Sequence, residues 1–182
     1  MSSDREIKRK TILTEKDIDL AVQRIGLQIL ERNHDCSALA LVGIHTCGVD
    51  LARRLLDFIE KQSEVQLGFG TLDINLYRDD WSLMSQNPVV KTTDIGFDVD
   101  NADIILVDDV IFTGRTIRAA MDAIMDYGRP NSVQLAVLVD RGGRELPIQP
   151  DYTGMCVSVR NRERIQVSFA ESGTFCEVSV ES

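Results

Sequence analysis

Aromatic side chains are scarce in this chain, at 5% of its residues, and proline stands at only four positions. Long apolar runs are missing: none approaches the ~20 residues of a membrane-spanning helix. The N-terminus, MSSDREIKRK, is charged with no apolar segment behind it, so no secretory signal is expected and the cytoplasm is the expected compartment. Positive charge is in deficit, with 20 Lys+Arg against 29 Asp+Glu and a formal net charge of −9. That balance disfavours a protein built mainly to grip nucleic acid, although a local basic patch is compatible with it. Cysteine is limited to Cys36, Cys47, Cys156 and Cys176, and histidine to His34 and His45. Zinc needs four convergent ligands, and no zinc-finger spacing is present. Reduced structural thiols are therefore the expectation, and a His/Cys metal patch is the weaker alternative.

What is there suits one soluble domain. The chain's 182 residues, 43% of them hydrophobic, are enough for a sizeable core. Thr14 with Asp17 three residues on resembles a capping box, and Ile18, Ala21, Val22, Ile25, Ile29 and Leu30 follow at helical spacing, predicting a helix over 15–32. ALALVGI (38–44), IILVDD (104–109) and VQLAVLVD (133–140) are continuous apolar runs, the pattern of strands buried on both faces. A helix is predicted over 49–61, a longer strand with a Gly68/Gly70 irregularity over 65–76, and a mobile polar stretch over 77–92. Another helix runs through Ile117, Ala120, Met121 and Ile124 to a stop at Gly128, with Pro130 beyond. From about 152 the tail alternates like half-buried strands. The expected fold class is α/β: a mainly parallel sheet flanked by helices, within a single domain over 1–182, with a small β appendage from 152–182.

In such sheets ligands bind beyond the carboxyl ends of the strands, which selects the loops 45–48, 108–116 and 140–147. The middle loop is the most informative. A buried strand delivers Asp108 and Asp109 to the sheet edge; Val110, Ile111 and Phe112 follow, and Thr113-Gly114-Arg115-Thr116 opens a helix. A glycine turn at a helix N-terminus presents free amides and the positive end of the helix dipole, which together suit a phosphate. Two carboxylates beside it suit sugar hydroxyls, or a magnesium ion held through water. Neither GxxxxGK[ST] nor GxGxxG is present, which excludes the usual ATPase and dinucleotide loops. Solvent-facing acids on an ordinary turn are the bland alternative, but adjacent carboxylates repel and add nothing to a fold.

IILVDDVIFTGRT (104–116) resembles the phosphoribosyl pyrophosphate (PRPP) signature of type I phosphoribosyltransferases. ILTEKDI, LVGIHTCGVDLARRL, LYRDD, GRTIRAAMDAIMDYGRP and LAVLVDRGGRELPI are similar to segments of the bifunctional pyrimidine operon regulators with uracil phosphoribosyltransferase activity, the PyrR family. The resemblance runs from roughly 11 to 155. It implies that PRPP is held by Ile104, Ile105, Leu106, Val107, Asp108, Asp109, Val110, Ile111, Phe112, Thr113, Gly114, Arg115 and Thr116. Asp108 and Asp109 would be the catalytic pair at the ribose. Thr46, Cys47 and Gly48 would form the pyrophosphate loop, and Arg78, Asp79 and Asp80 would belong to a flexible closing loop. Val139, Asp140 and Arg141 would meet the base, and Mg²⁺ would enter with PRPP, with no direct protein ligand. The implied reaction joins uracil to PRPP, giving UMP and pyrophosphate. A homo-oligomer, a pocket that senses UMP or UTP, and binding to the leader RNA of a pyrimidine operon (transcription attenuation) are implied as well.

The chain departs from that family in three places. The family's K-T-R-G is His45-Thr46-Cys47-Gly48 here, which exchanges two cations for an imidazole and a thiol and predicts a weaker hold on pyrophosphate. Cys47, beside a helix N-terminus, is either a reactive thiol or a small tolerated replacement. Phe112 stands where the family has tyrosine, and Arg141-Gly142-Gly143-Arg144-Glu145-Leu146 has glycine in place of histidine. Two alternatives stay open: a transferase for a purine or orotate, and a nucleotide-sensing regulator with little transferase activity. For RNA, the first helix offers Arg24 and Arg32 but also Asp17 and Asp19. Arg141 and Arg144 are the cations expected to meet the phosphates.

Overall fold

A computed structural model of the chain describes residues 9–77, 92–160, 163–169 and 175–182. The capping box forms: Thr14 Oγ1 accepts the Asp17 amide, and the Asp17 carboxylate accepts the Thr14 amide at 2.9 Å. It opens α1 (Glu15–Arg32), which buries Ile18, Ala21, Val22, Ile25 and Ile29, as the spacing predicts. Ahead of α1 lies β1 (Arg9–Thr14), a strand the hydropathy pattern conceals because Leu13 is its one buried residue.

The chain continues through β2 (Leu39–Ile44), α2 (Cys47–Ser63), β3 (Gly68–Leu72), β4 (Asp94–Ile95) and β5 (Asp103–Ile111). After these come α3 (Arg115–Met125), β6 (Ser132–Asp140), β7 (Tyr152–Cys156), β8 (Arg164–Phe169) and β9 (Phe175–Glu181). Six strands form one sheet in the order β4-β3-β2-β5-β6-β7, parallel except for β4. The other sheet is antiparallel, β1-β9-β8. Along β5 the side chains alternate between two cores: Ile105 and Val107 face α1 and α2, whereas Ile104 and Leu106 face α3. All four are fully buried, each contributing roughly 2 kcal/mol of transfer energy, which is why this strand reads as an unbroken apolar run. Among the described residues, no helix is long and apolar enough to cross a membrane.

Several boundaries differ from the sequence reading. The strand predicted over 65–76 is only β3, and Gly68 and Gly70 are regular members of it. A side chain at Gly68 would meet Ala40 and Phe97, and one at Gly70 would meet Ile95, so these glycines serve close packing rather than a bulge. α3 ends three residues before Gly128. The appendage does not take all of 152–182: β7 joins the main sheet parallel to β6, with Tyr152 buried and its hydroxyl on Gln134. β1 completes the small sheet instead, so both ends of the described chain build it. The acids Asp98, Asp100 and Asp103 hold local backbone and side-chain donors; Asp103, for example, accepts from Asn131 and Ser132. The segment expected to be mobile, with Arg78, Asp79 and Asp80, lies almost entirely outside the described residues.

Candidate active site

In the main sheet the chain passes from β2 to β3 on one side, while β5 lies on β2's other edge. This is the switch point of a parallel sheet, where a crevice opens at the strands' carboxyl ends. Two helices start there, α2 from β2 and α3 from β5. Neither N-cap, Thr46 or Gly114, makes a side-chain capping bond; the Arg115 amide at the start of α3 donates to Thr113 Oγ1 at 3.3 Å, and the other first-turn amides keep their capacity for an anion. Gly114 supplies the left-handed turn into α3, at φ +91°. A recess of about 190 Å³ lies over this turn, lined by Val110, Ile111, Phe112, Thr113, Gly114, Thr116 and Ile117.

The acid pair sits between the two helix starts. Asp108 is buried, with 6% exposure, and its carboxylate accepts the Asp109 amide at 3.0 Å. Burial first, then the neighbouring Asp109 charge, pushes the Asp108 carboxyl well above the usual carboxylate range. A fold alone gains nothing from this arrangement. Ile104, Ile105, Leu106 and Val107 lie inside the two cores, so they carry the acids to the edge rather than face the crevice.

Cys47 is the first residue of α2, not part of a free loop, because the helix begins two residues earlier than predicted. The next residue, Gly48, is pressed onto β5: a Cβ there would lie 2.4 Å from the Val107 carbonyl oxygen and 3.1 Å from the Asp108 Cα. Only glycine lets α2 start this close to the acids. The Cys47 thiol is pushed up to about 12 by burial, then by Asp109, which also takes its hydrogen bond. That direction disfavours a reactive thiolate and accords with a small tolerated replacement. With an ordinary thiol near pH 8.5, Cys47 at pH 8 carries roughly 10³-fold less thiolate. Mass-spectrometric mapping after brief alkylation at pH 8 is expected to find the exposed Cys156 modified and Cys47 untouched.

The β6 end is arranged differently from the expectation. Val139 is fully buried in the ladder between Val110 and Met155. The Asp140 carbonyl takes the Val157 amide, and its carboxylate takes the Gly142 amide and Arg144. Arg141 is the residue there with a donor to spare: its guanidinium lies 3.9 Å from the Phe112 ring centroid, and its buried Nε has no partner.

Arg144 is the residue whose surroundings the sequence reading misplaced. Its Nε donates to the Ile148 carbonyl at 2.8 Å, Nη1 to the Phe112 carbonyl at 3.0 Å, and Nη2 to the Asp140 carboxylate at 2.8 Å. The expectation that it meets RNA is corrected: the side chain is 12% exposed and its donors are committed inside the protein. Residues 141–148 form a strap over the phosphate turn. Glu145 and Leu146 amides both donate to the Thr113 carbonyl, Glu145 pairs with Arg115 at 2.8 Å, and Gly143, at φ +77°, packs on Phe112. The strap draws the Phe112 and Thr113 carbonyls to itself, so the amides of the turn other than Arg115, which donates to Thr113 Oγ1, keep their capacity for a ligand. The signal in the sequence was the run Arg141–Leu146, but only the fold shows what it grips.

Residues 8–170 match the family model described as Phosphoribosyl transferase domain. A protein of Syntrophobacter fumaroxidans named Bifunctional protein PyrR is 47% identical over 172 residues, covering 94% of this chain and 92% of that protein. The protein of the same name from Caldicellulosiruptor bescii is 51% identical over 160 residues, 88% of each. Among solved structures, the hypoxanthine phosphoribosyltransferase of Trypanosoma cruzi superposes with a TM-score of 0.69 at 15% identity, covering 94% of this chain and 95% of that one, and so shares the fold.

Proposed function

The chain belongs to the phosphoribosyl transferase domain family, in the branch of the bifunctional PyrR proteins, and from that premise we propose how its residues do the work. The protein is a uracil phosphoribosyltransferase and pyrimidine operon regulator. One observation carries the site assignment: a buried Asp108 beside a half-buried Asp109, between two helix starts without side-chain caps. The 5′-phosphate sits on the amides of Thr113 to Thr116, and Asp108 and Asp109 hold the ribose hydroxyls. The bond from the anomeric carbon to the pyrophosphate oxygen breaks, and uracil N1 takes that carbon and gives up its proton. Positive charge grows on the sugar as the bond breaks, and the two carboxylates favour it electrostatically. The first-turn amides of α2 face the leaving pyrophosphate. Arg141 Nε, a buried donor without an acceptor, suits a carbonyl oxygen of the base.

Among the described residues, no group of three or more His, Cys, Asp or Glu side chains could hold a metal by itself. Two hard carboxylates do fit a magnesium ion that takes most of its oxygens from pyrophosphate and water. Such an ion, when bound with PRPP, offsets the charge of the leaving group. A cytoplasmic location goes with these substrates. For leader RNA, the first-helix arginines are occupied, Arg24 with the Gly154 carbonyl and Arg32 with Asp151. The exposed Lys10, Arg160 and Arg164 on or beside the small sheet are cations that can meet phosphates.

The deciding test is a panel of uracil, hypoxanthine, guanine and orotate with PRPP and Mg²⁺, followed by nucleotide release. Uridylate alone is expected; a purine nucleotide or orotidylate as the main product overturns the base assignment. Titration of a pyrimidine leader hairpin against a scrambled one, with and without UMP, checks the regulatory arm. Cys47→Arg is expected to tighten pyrophosphate binding by about 1 kcal/mol or more, because a charge-assisted contact replaces a neutral thiol. Calorimetric titration with pyrophosphate checks it, and unchanged affinity means that the loop works through its backbone alone.

A further inference from the structure

The ladder between β5 and β6 ends with Ile111 beside Asp140, so the next residues, Phe112 and Arg141, leave the sheet side by side. The Arg141 amide donates to the Ile111 carbonyl at 3.0 Å, and its Nη2 to the Glu163 carbonyl at 2.9 Å. Between these anchors the guanidinium lies over the Phe112 ring, 3.9 Å from the centroid, while the buried Nε is left without an acceptor. The chain then turns back through two successive glycines in the left-handed region, Gly142 at φ +73° and Gly143 at φ +77°. Their surroundings differ. A Cβ at Gly142 would meet nothing within 4 Å, whereas one at Gly143 would lie 2.5 Å from Phe112 Cε2 and 3.1 Å from Cδ2. The ring is 42% exposed, so the core does not fix it; the missing side chain at 143 gives it room to stand under the guanidinium.

We propose that Phe112 and Gly143 are positioning residues for the base: the bare backbone at 143 admits the ring, and the ring holds the Arg141 guanidinium with Nε presented to uracil. This rests on the reading of Arg141 as a base contact and adds what aims it. Arginine carries several rotatable bonds, and ordering them at the moment of binding costs affinity. A hydrogen bond to the Glu163 carbonyl alone leaves the guanidinium free to swing about that point. The attraction between a cation and an aromatic face adds a second support, so the donor is in place before the base arrives. Gly143 therefore has two separate demands on it. Its backbone needs a left-handed conformation that glycine adopts without strain, as at Gly142, and its Cα needs a bare side toward the ring.

Steady-state kinetics with uracil, PRPP and Mg²⁺, run beside thermal melts, test the proposal. Phe112→Leu removes the aromatic face and is expected to raise the KM for uracil about fivefold, with kcat and the KM for PRPP changed less. Phe112→Tyr keeps the face and is expected to stay at the wild-type KM. Gly142→Ala and Gly143→Ala bring the same backbone strain, so both are expected to lower the melting temperature. Only Gly143→Ala, whose methyl group displaces the ring, is expected to raise the KM for uracil as well. In the Phe112→Leu background it is expected to add little to that KM, because the ring it would displace is gone. Equal effects of the two alanines on the uracil KM, or full additivity in the double variant, overturn the proposal. So does a Phe112→Leu variant at the wild-type uracil KM when Arg141→Gln raises it. If Arg141→Gln also leaves that KM unchanged, the reading of Arg141 as a base contact falls with the proposal.

Discussion

Replacing Asp108 and Asp109 together with asparagine is expected to lower uridylate formation by 10²-fold or more while making the protein more stable at neutral pH. The substitution keeps shape and removes the charges that favour the sugar cation, an effect worth roughly 3 kcal/mol in comparable sites. Stability moves the other way. Because burial and Asp109 raise the Asp108 carboxyl above its unfolded value, the folded state is favoured at low pH, where the group is neutral in both states. That advantage is lost as pH rises through the folded value, since ionising Asp108 sets a second charge into a dry site. Asparagine has no such titration, so the variant is the more stable of the two on the alkaline side. Melting temperatures from pH 5 to pH 9 are expected to fall for the wild type and to change less for the variant. Undiminished turnover by the folded double variant sinks the catalytic assignment, and a lower melting temperature at pH 8 sinks the account of the buried charge.

Arg144→Gln is expected to cost about 3 kcal/mol of stability and to raise the KM for PRPP about tenfold, with kcat changed less. The loss begins with Asp140, which is 16% exposed and is left as an uncompensated charge. The Phe112 and Ile148 carbonyls lose their donors at the same time. A Phe112 carbonyl no longer held by the strap is free to turn toward the phosphate turn, where an oxygen repels the 5′-phosphate. Arg144→Lys keeps the ion pair but not the three-way grip, so it is expected to recover most of the stability and little of the PRPP affinity. Chemical denaturation and steady-state kinetics of both variants check this. If Arg144 were instead an RNA contact, stability and KM would stay at wild-type values and only hairpin affinity would fall.

The sequence by itself determined the class of fold and pointed to the centre of the candidate site, for reasons that are local. Strands buried on both faces must be apolar throughout, so β2, β5 and β6 are visible as runs. A capping box and a 3.6-residue period made α1 legible to the residue. Asp108-Asp109 followed by Thr113-Gly114-Arg115-Thr116 is contiguous, so strand, acids and phosphate turn could be read together. What lacked a local signature was left to the tertiary structure. β1 buries one residue and exists because β9 pairs with it. β7 looked like its neighbours in the tail, and only the parallel edge of β6 decided that it joins the main sheet. Gly48 gave no hint that Val107 leaves no room for a side chain. Arg144 read as a free cation because its three acceptors lie on Phe112, Asp140 and Ile148, brought together by the adjacent ends of β5 and β6. A charge in a sequence has no partner until the chain folds back on it, and at this site the partner decides whether an arginine meets a ligand or holds the loop that does.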